Sequence, residues 1–359
     1  MPMELVPSLH IIGSRAMGGA ESFFARLVNG LVEKGAPVQA VLRPQSPLPR
    51  HLASSVTVHT VAMRNGWDIL SALQLRKLVE REACPIVQTY MGRATRLTRI
   101  PKGLDVVHVA RLGGYYKIQG YYTHAHAWIG NTRGICDYLI ASGLPAQKVH
   151  HVPNFVDTPA PIPESLRKDL RKRWKIPDEA WILFSLGRFV EKKGFDDLLK
   201  AFSLLPEKIS SKRIFLAIAG DGPLKGRLFR LANQLGIEAR VRWLGWQDDP
   251  GPFFSMGDIF VCPSRHEPLG NVILEAWSHG KAVVTTETVG PTEIASDGDT
   301  AILARIADPQ HLASSIRKAL EDEDLRRFLA ESGNRQFKEN YTKDAVVTQY
   351  LTLYDRLLR

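Results

Sequence analysis

What most restricts the fold is an alternation of short apolar, β-rich runs with longer amphipathic stretches, kept up through nearly the whole chain. In the first half the strand-like runs are Leu9–Gly13, Pro37–Leu42, Val56–Val61, Ile86–Tyr90, Val106–Ala110, Trp128–Gly130 and Val149–Val152. Helical patterns at Glu21–Lys34, Ile69–Glu82 and Thr132–Ser142 lie between them, and Gly143 and Pro145 stop the last of these. The second half repeats the plan. Its strands are Ile182–Leu186, Ile214–Ala219, Val241–Leu244, Ile259–Cys262, Ala282–Thr286 and Ala301–Leu303, with helices at Phe195–Leu205, Leu224–Leu235, Asn271–His279 and His311–Glu321. Strands apolar on both faces and separated by helices call for a parallel sheet covered on each side. The expectation is an α/β chain of two doubly wound, Rossmann-like domains facing a cleft.

The first domain is expected to span residues 1–157 and the second 181–343. The connecting stretch 158–180 is read as a linker holding one basic helix, since five prolines fall between Pro153 and Pro177. A final amphipathic helix, 344–359, has no strand after it and is expected to pack back on the first domain. A length of 359 residues fits two domains. No apolar run approaches the roughly 20 residues that cross a bilayer, and MPMELVPSLHIIGS shows no secretory pattern. Cys84, Cys136 and Cys262 are too scattered for a disulfide framework or a metal spacing. A reducing, cytoplasmic location is expected. The net charge of +10 is uneven: residues 1–160 carry 17 Lys and Arg against 9 Asp and Glu. A basic first half, with the run Arg93, Arg96, Arg99 and Lys102, attracts an anionic partner or a membrane surface. No nucleic-acid-binding pattern accompanies it.

The most informative stretch is CPSRHEPLGNVILEAWSHG, residues 262–280. A strand runs into a loop there, and Pro268–Leu269–Gly270 opens a helix whose first amides, near Gly270 and Asn271, would face an anion. Glu267 precedes that start and Glu275 follows one to two turns later. A carboxylate accepts two hydroxyl hydrogen bonds at once, which is how sugars and riboses are gripped. Two of them around an anion-binding helix suit a nucleotide sugar. Upstream, GRFVEKKGFDD sets Arg188 and Lys193 in a post-strand loop, where they could neutralise a departing diphosphate. AGDGP, with Gly220, allows close backbone approach at another strand end, and LGWQ, with Trp246, is a turn fit to contact a base. Singly, each reads as readily as a turn glycine or an exposed charge; the ordered set at strand ends of one sheet points to a site.

That ordered set, GRFVEKKG, GDGP, LGWQDD, PSRHEPLGNVILEAWSHGKAVVTT and VGPTEI, resembles the retaining glycosyltransferases of family 4, a GT-B family that includes sucrose synthases and bacterial cell-envelope sugar transferases. The likeness runs nearly end to end, and the Glu-x7-Glu pair, Glu267 and Glu275, is its most specific element. The resemblance implies that Arg188 and Lys193 hold the donor diphosphate, Glu275 the ribose, and that Glu267 faces the donor sugar. The Gly270 and Asn271 amides would contact sugar or phosphate, with Leu269, Gly220 and Trp246 completing the donor side. In the first half, Gly18-Gly19-Ala20-Glu21 resembles the family's GG-x-E loop over the donor.

One departure is visible. Many relatives carry a histidine where this chain has Ala110 or Arg111, and His108 lies inside the strand. Arg111 or the Gly113–Gly114 backbone is therefore expected to meet the acceptor. His124 and His126 read as a structural or surface pair, and Asp297-Gly298-Asp299 as a polar turn rather than a metal site. The expected function is retaining transfer of a sugar from a UDP- or GDP-type donor, without metal or other cofactor, to an anionic glycan or lipid. Lipopolysaccharide core is the favoured acceptor, with peripheral contact at the inner membrane. An epimerase or dehydrogenase, or a non-catalytic sugar-nucleotide binder, are the alternatives.

Overall fold

A computed structural model describes residues 5–359. The chain divides into two compact units. One runs to Phe155 and takes back Lys343–Arg359; the other is Val156–Thr342.

The first unit holds β1 (Ser8–Ile12), α1 (Gly19–Glu33), β2 (Val38–Leu42), β3 (Thr57–Thr60), α2 (Ile69–Glu82) and β4 (Ile86–Tyr90). After these come α3 (Met91–Leu97), β5 (Val107–Leu112), β6 (Ala127–Gly130), α4 (Arg133–Ala141) and β7 (Val149–His151). The seven strands form a parallel sheet in the order β3-β2-β1-β4-β5-β6-β7. Strand alternation sorts the core: Leu9 and Ile11 face Leu75, Leu78 and Leu97 of α2 and α3, while Ile12 joins Phe24, Leu27 and Leu31 of α1 on the other face.

The second unit begins with α5 (Glu164–Arg173), β8 (Trp181–Leu186), α6 (Phe195–Ser203), β9 (Lys208–Ile209) and β10 (Lys212–Ala219). There follow α7 (Lys225–Gln234), β11 (Val241–Gly245), α8 (Gly251–Met256), β12 (Ile259–Cys262), α9 (Asn271–Ser278) and β13 (Ala282–Thr286). It ends with α10 (Val289–Ile294), β14 (Ile302–Ala304), α11 (Pro309–Glu321) and α12 (Glu323–Asn340). Its parallel sheet runs β11-β10-β8-β12-β13-β14, with β9 antiparallel to the start of β10. Within the Pro-rich stretch, α5 packs Leu170 into the core beside Phe184 and Phe253, and Arg171 donates to the carbonyls of Pro177, Asp178 and Ala180.

The last helix, α13 (Lys343–Leu358), belongs to the first unit: Val346, Val347, Tyr350 and Tyr354 share the α1 core. The fold class is the one the alternation implies, two parallel Rossmann-like sheets. The pattern misses α3, α8, α10, β9 and the 18-residue α12. The three cysteines are buried thiols. Among the described residues no helix is long and apolar enough to cross a membrane.

Candidate active site

In the second unit the motifs converge on the carboxyl ends of β8, β10, β11 and β12, the edge where open α/β sheets bind ligands. Backbone contact holds these loops together. Gly187 N–H donates to the Ala219 carbonyl at 3.0 Å, Gly220 N–H to Gly245 at 2.7 Å, and Phe189 N–H to Asp221 at 2.9 Å. Gly220 has φ +145°, and a Cβ there would overlap the Gly187 carbonyl oxygen. Only glycine lets the AGDGP turn lie against the Arg188 loop so closely. On the other side the Arg265 and His266 N–H groups donate to the Lys192 carbonyl at 2.9 and 3.1 Å, and a Cβ on Gly194 would strike the Pro263 carbonyl.

The locked loops gather three of the expected residues. Lys193 Nζ donates to Glu267 Oε2, and Ser264 Oγ donates to the same oxygen at 3.3 Å. Glu275, on the first turns of α9, is close enough to act on Lys193 electrostatically. Burial works against the Lys193 charge, but Glu267, and more weakly Glu275, outweigh it and raise its pKa above the ordinary lysine value. The ammonium therefore stays charged at neutral pH. Gly270 caps α9 with φ +91°, and Asn271 is its first residue. Leu269 is buried in the core beneath. Gly290 N–H donates to the Glu267 carbonyl at 2.9 Å, so the start of α10 braces the loop that carries the carboxylate. Arg188 is exposed in the adjoining loop. Trp246 is exposed just past β11, its indole N–H donating to Asp248 at 2.9 Å.

One participant is not legible from the motifs. Arg265 clamps Asp197 with two hydrogen bonds of 2.7 Å and Asp196 with one of 2.9 Å. These carboxylates push its pKa well above the usual arginine value. The clamp ties the loop bearing Glu267 to the first turn of α6, directly after Lys193 and Gly194. Asp196 and Asp197 are in plain sight in the sequence, but their partner lies 68 residues away from Asp197.

In the first unit, Gly18 caps α1, and Gly19 is exposed at its first position. Glu21 is buried in that first turn, its carboxylate beside Gly18. Arg111 is buried at the end of β5 with internal partners: Nε donates to Tyr350 at 3.1 Å, Nη2 donates to Asn154, and the guanidinium lies 3.8 Å over the Phe23 ring. Gly113, past the end of β5, lies beside Arg111 and Asn131. His108 is fully buried, sharing a hydrogen bond of 2.9 Å with Thr89 Oγ1. His124 Nε2 bonds the carbonyls of Thr95 and Thr98, closing the end of α3. In the Asp297 turn, Asp297 accepts from Leu303 N–H at 2.8 Å and Gly298 N–H donates to Ala301 at 2.9 Å.

Residues 167–336 match the model of glycosyl transferases group 1, and residues 17–159 match glycosyltransferase family 4. Two lipopolysaccharide core biosynthesis glycosyltransferases of Rhizobium meliloti (strain 1021) align across 94% of this chain and 95% of their own: LpsE at 34% identity and LpsD at 32%. In three dimensions the chain is similar to Anabaena Alr3699/HepE crystallised with UDP and glucose, with a TM-score of 0.82 at 18% identity over 98% of this chain and 100% of that one. The glycine-locked loops, the carboxylate pair and a full-length alignment above 30% identity have one reading: the chain belongs to glycosyltransferase family 4 and has its GT-B fold.

Proposed function

We propose that this glycosyltransferase moves a sugar, with retention, from a nucleotide-diphosphate donor to a hydroxyl of the lipopolysaccharide core. The observation that carries the donor half is the partly buried Lys193–Glu267 pair beside the first turns of α9. Lys193 and Arg188 are assigned to the leaving diphosphate, whose charge grows as the glycosyl–phosphate bond breaks. Glu275 takes ribose hydroxyls, Glu267 faces the donor sugar while holding Lys193 in place, and the Gly270 and Asn271 amides, over Leu269, meet sugar or phosphate. Gly220 and Trp246 border the nucleotide. By the family resemblance, Gly18, Gly19 and Glu21 at the start of α1 are assigned to the donor, and Gly113, with the internally bonded Arg111 beside it, to the acceptor. LpsE and LpsD are lipopolysaccharide core biosynthesis glycosyltransferases, which supports the core as acceptor.

A membrane-facing surface fits such an acceptor. At the start of α2, Trp67, Ile69 and Leu70 are 74%, 74% and 65% exposed, and Leu73 is exposed one turn later. Arg96 lies 3.4 Å from the centre of the Trp67 ring, and Arg64 and Arg99 are exposed on the same chain stretches. Exposed apolar side chains among arginines suit an anionic lipid face. Of the basic run, Arg93 is not part of this surface; it turns inward to Gly13.

The test is incubation of the protein with UDP- and GDP-sugars and a truncated lipopolysaccharide core, reading nucleoside diphosphate release and product anomer by NMR. Transfer with retained configuration, lost in E275A, is expected. Interconversion of the sugar nucleotide without acceptor, or binding with no turnover, would overturn the proposal. Serine at positions 67, 69 and 70 is expected to abolish sedimentation with vesicles containing anionic lipid.

A further inference from the structure

Three arginines of the first unit, Arg15, Arg43 and Arg93, stand close enough to act on one another, and among the described residues none has an acidic partner. In the sheet β1 lies between β2 and β4, with Ile11 level with Val41 and Ile12 level with Tyr90. Gly13, Arg43 and the start of α3 therefore leave the carboxyl edge side by side. Met91 takes φ +65°, a left-handed conformation costly to a residue with a Cβ, and the chain turns at once from β4 into α3. The turn carries Arg93 back over β1: its stem lies against Gly13, and Nη1 donates to the Gly13 carbonyl at 3.0 Å. Arg43 is only 8% exposed, and its Nε donates to the Ala62 carbonyl at 2.9 Å. Arg15 is exposed two residues beyond Gly13.

Each of the two anchored guanidiniums uses a single N–H on a backbone carbonyl and keeps the rest of its fork. Among the described residues no carboxylate pairs with Arg15, Arg43 or Arg93. Burial, and then the charges of Arg93 and Arg15, pull the Arg43 pKa down, with no opposing acidic group. A buried cation flanked by two others is unfavourable until an anion joins them. Guanidinium forks match the paired oxygens of phosphate and carboxylate. The edge is also where an α/β sheet binds ligands, and none of the three residues takes part in the donor constellation of the second unit.

We propose that Arg15, Arg43 and Arg93 form an oxyanion subsite that grips a phosphate or carboxylate group of the acceptor and so selects anionic acceptors over neutral ones. The acceptor assignment rests on the reading of the first unit given above; the anion site itself rests on the arginines. Met91 sets Arg93 in place by its turn, and Arg43 supplies the buried charge.

The protein, saturated with the nucleoside diphosphate of its donor so that other phosphate contacts are filled, is titrated calorimetrically at constant ionic strength with inorganic phosphate, glucuronic acid and glucose. Binding of phosphate or glucuronate, no binding of glucose, and at least a tenfold loss in R15Q and in R93Q are expected. Preference for phosphate identifies a phosphorylated acceptor; preference for glucuronate identifies an acidic sugar. R43K keeps the charge without the fork and is expected to lose most of the affinity, with the far-UV spectrum reporting its fold. Equal affinity of all three probes, or an R15Q/R93Q double variant that binds them like the wild type, would overturn the subsite. Loss of nucleoside diphosphate binding in that double variant would also overturn it, while leaving the transferase reading intact. If the wild type binds no nucleoside diphosphate, the transferase reading fails, and the same titrations without nucleotide still decide the subsite.

Discussion

Lys193 shows what a single side chain contributes in this fold. It is an ammonium held in a partly buried place by Glu267, with Ser264 on the same carboxylate oxygen. In the role proposed for it, such a charge is already oriented before a diphosphate departs, so none of the cost of arranging it falls on the reaction. K193A is expected to lower kcat by about 10²- to 10³-fold, the range for removing one preorganised group of this kind, while circular dichroism stays native. A kcat within tenfold of wild type would remove Lys193 from the chemistry. Glu267 and Glu275 could be picked out from their spacing and from the helix start between them. Arg265 could not, because what it does depends on Asp196 and Asp197 lying across a loop that only the folded chain brings near.

At the scale of elements, helices fail to show in the sequence where a tertiary neighbour dictates a residue that local preference disfavours. The helix α12 contains Gly333 and Asn334, a pair that reads as a break. In the structure Gly333 is bare because the Trp277 indole of α9 rests on it; a Cβ there would fall inside the ring. The indole N–H donates to the Thr300 carbonyl at 3.1 Å, and Asn334 donates to the Trp277 carbonyl at 2.8 Å. The residues that hide the helix are the ones that dock it. G333A is expected to destabilise by roughly 1–3 kcal/mol, as forced overpacking does, read as a lower midpoint in urea. E331A, on the exposed side of the same helix, is the neutral control. If G333A unfolds at the wild-type midpoint, Trp277 and α12 are not packed as described. By contrast α1, α2 and α9 have periodic apolar faces and are legible to within two residues at each end.

Over the whole molecule, buried and half-buried neutral histidines set an acid limit. His10, in the central strand β1, bonds Tyr90 Oη at 2.8 Å, and burial lowers its pKa to about 3. His279, in the second unit, stacks on Phe254 with ring centres 5.1 Å apart, and burial and then Lys281 lower its pKa to about 4. Both folded values lie below the ordinary histidine value of 6.5, so the unfolded chain binds these protons first. Their contribution to stability is fully present above pH 6.5 and is lost as pH falls toward 4. Urea unfolding at pH 7.5, 5.5 and 4.5 is expected to show midpoints falling in that order, with H279F flattening part of the slope. Midpoints that do not change below pH 6.5 would contradict these burials.

The sequence alone determined the two parallel sheets, the order of the strand-end motifs and the family, because apolar periodicity, strand-end glycines and a fixed carboxylate spacing are local quantities that survive in one dimension. The tertiary structure decided what each charge faces. Arg93 and Arg96 are neighbours in one basic run, yet a left-handed turn at Met91 and one helical turn send the first to Gly13 and the second under Trp67. It decided too that Arg111 is tied to Tyr350 and Asn154. The reason is physical: the energy of a charge depends on the distance to its partners through space, and the covalent order of a chain does not carry that distance.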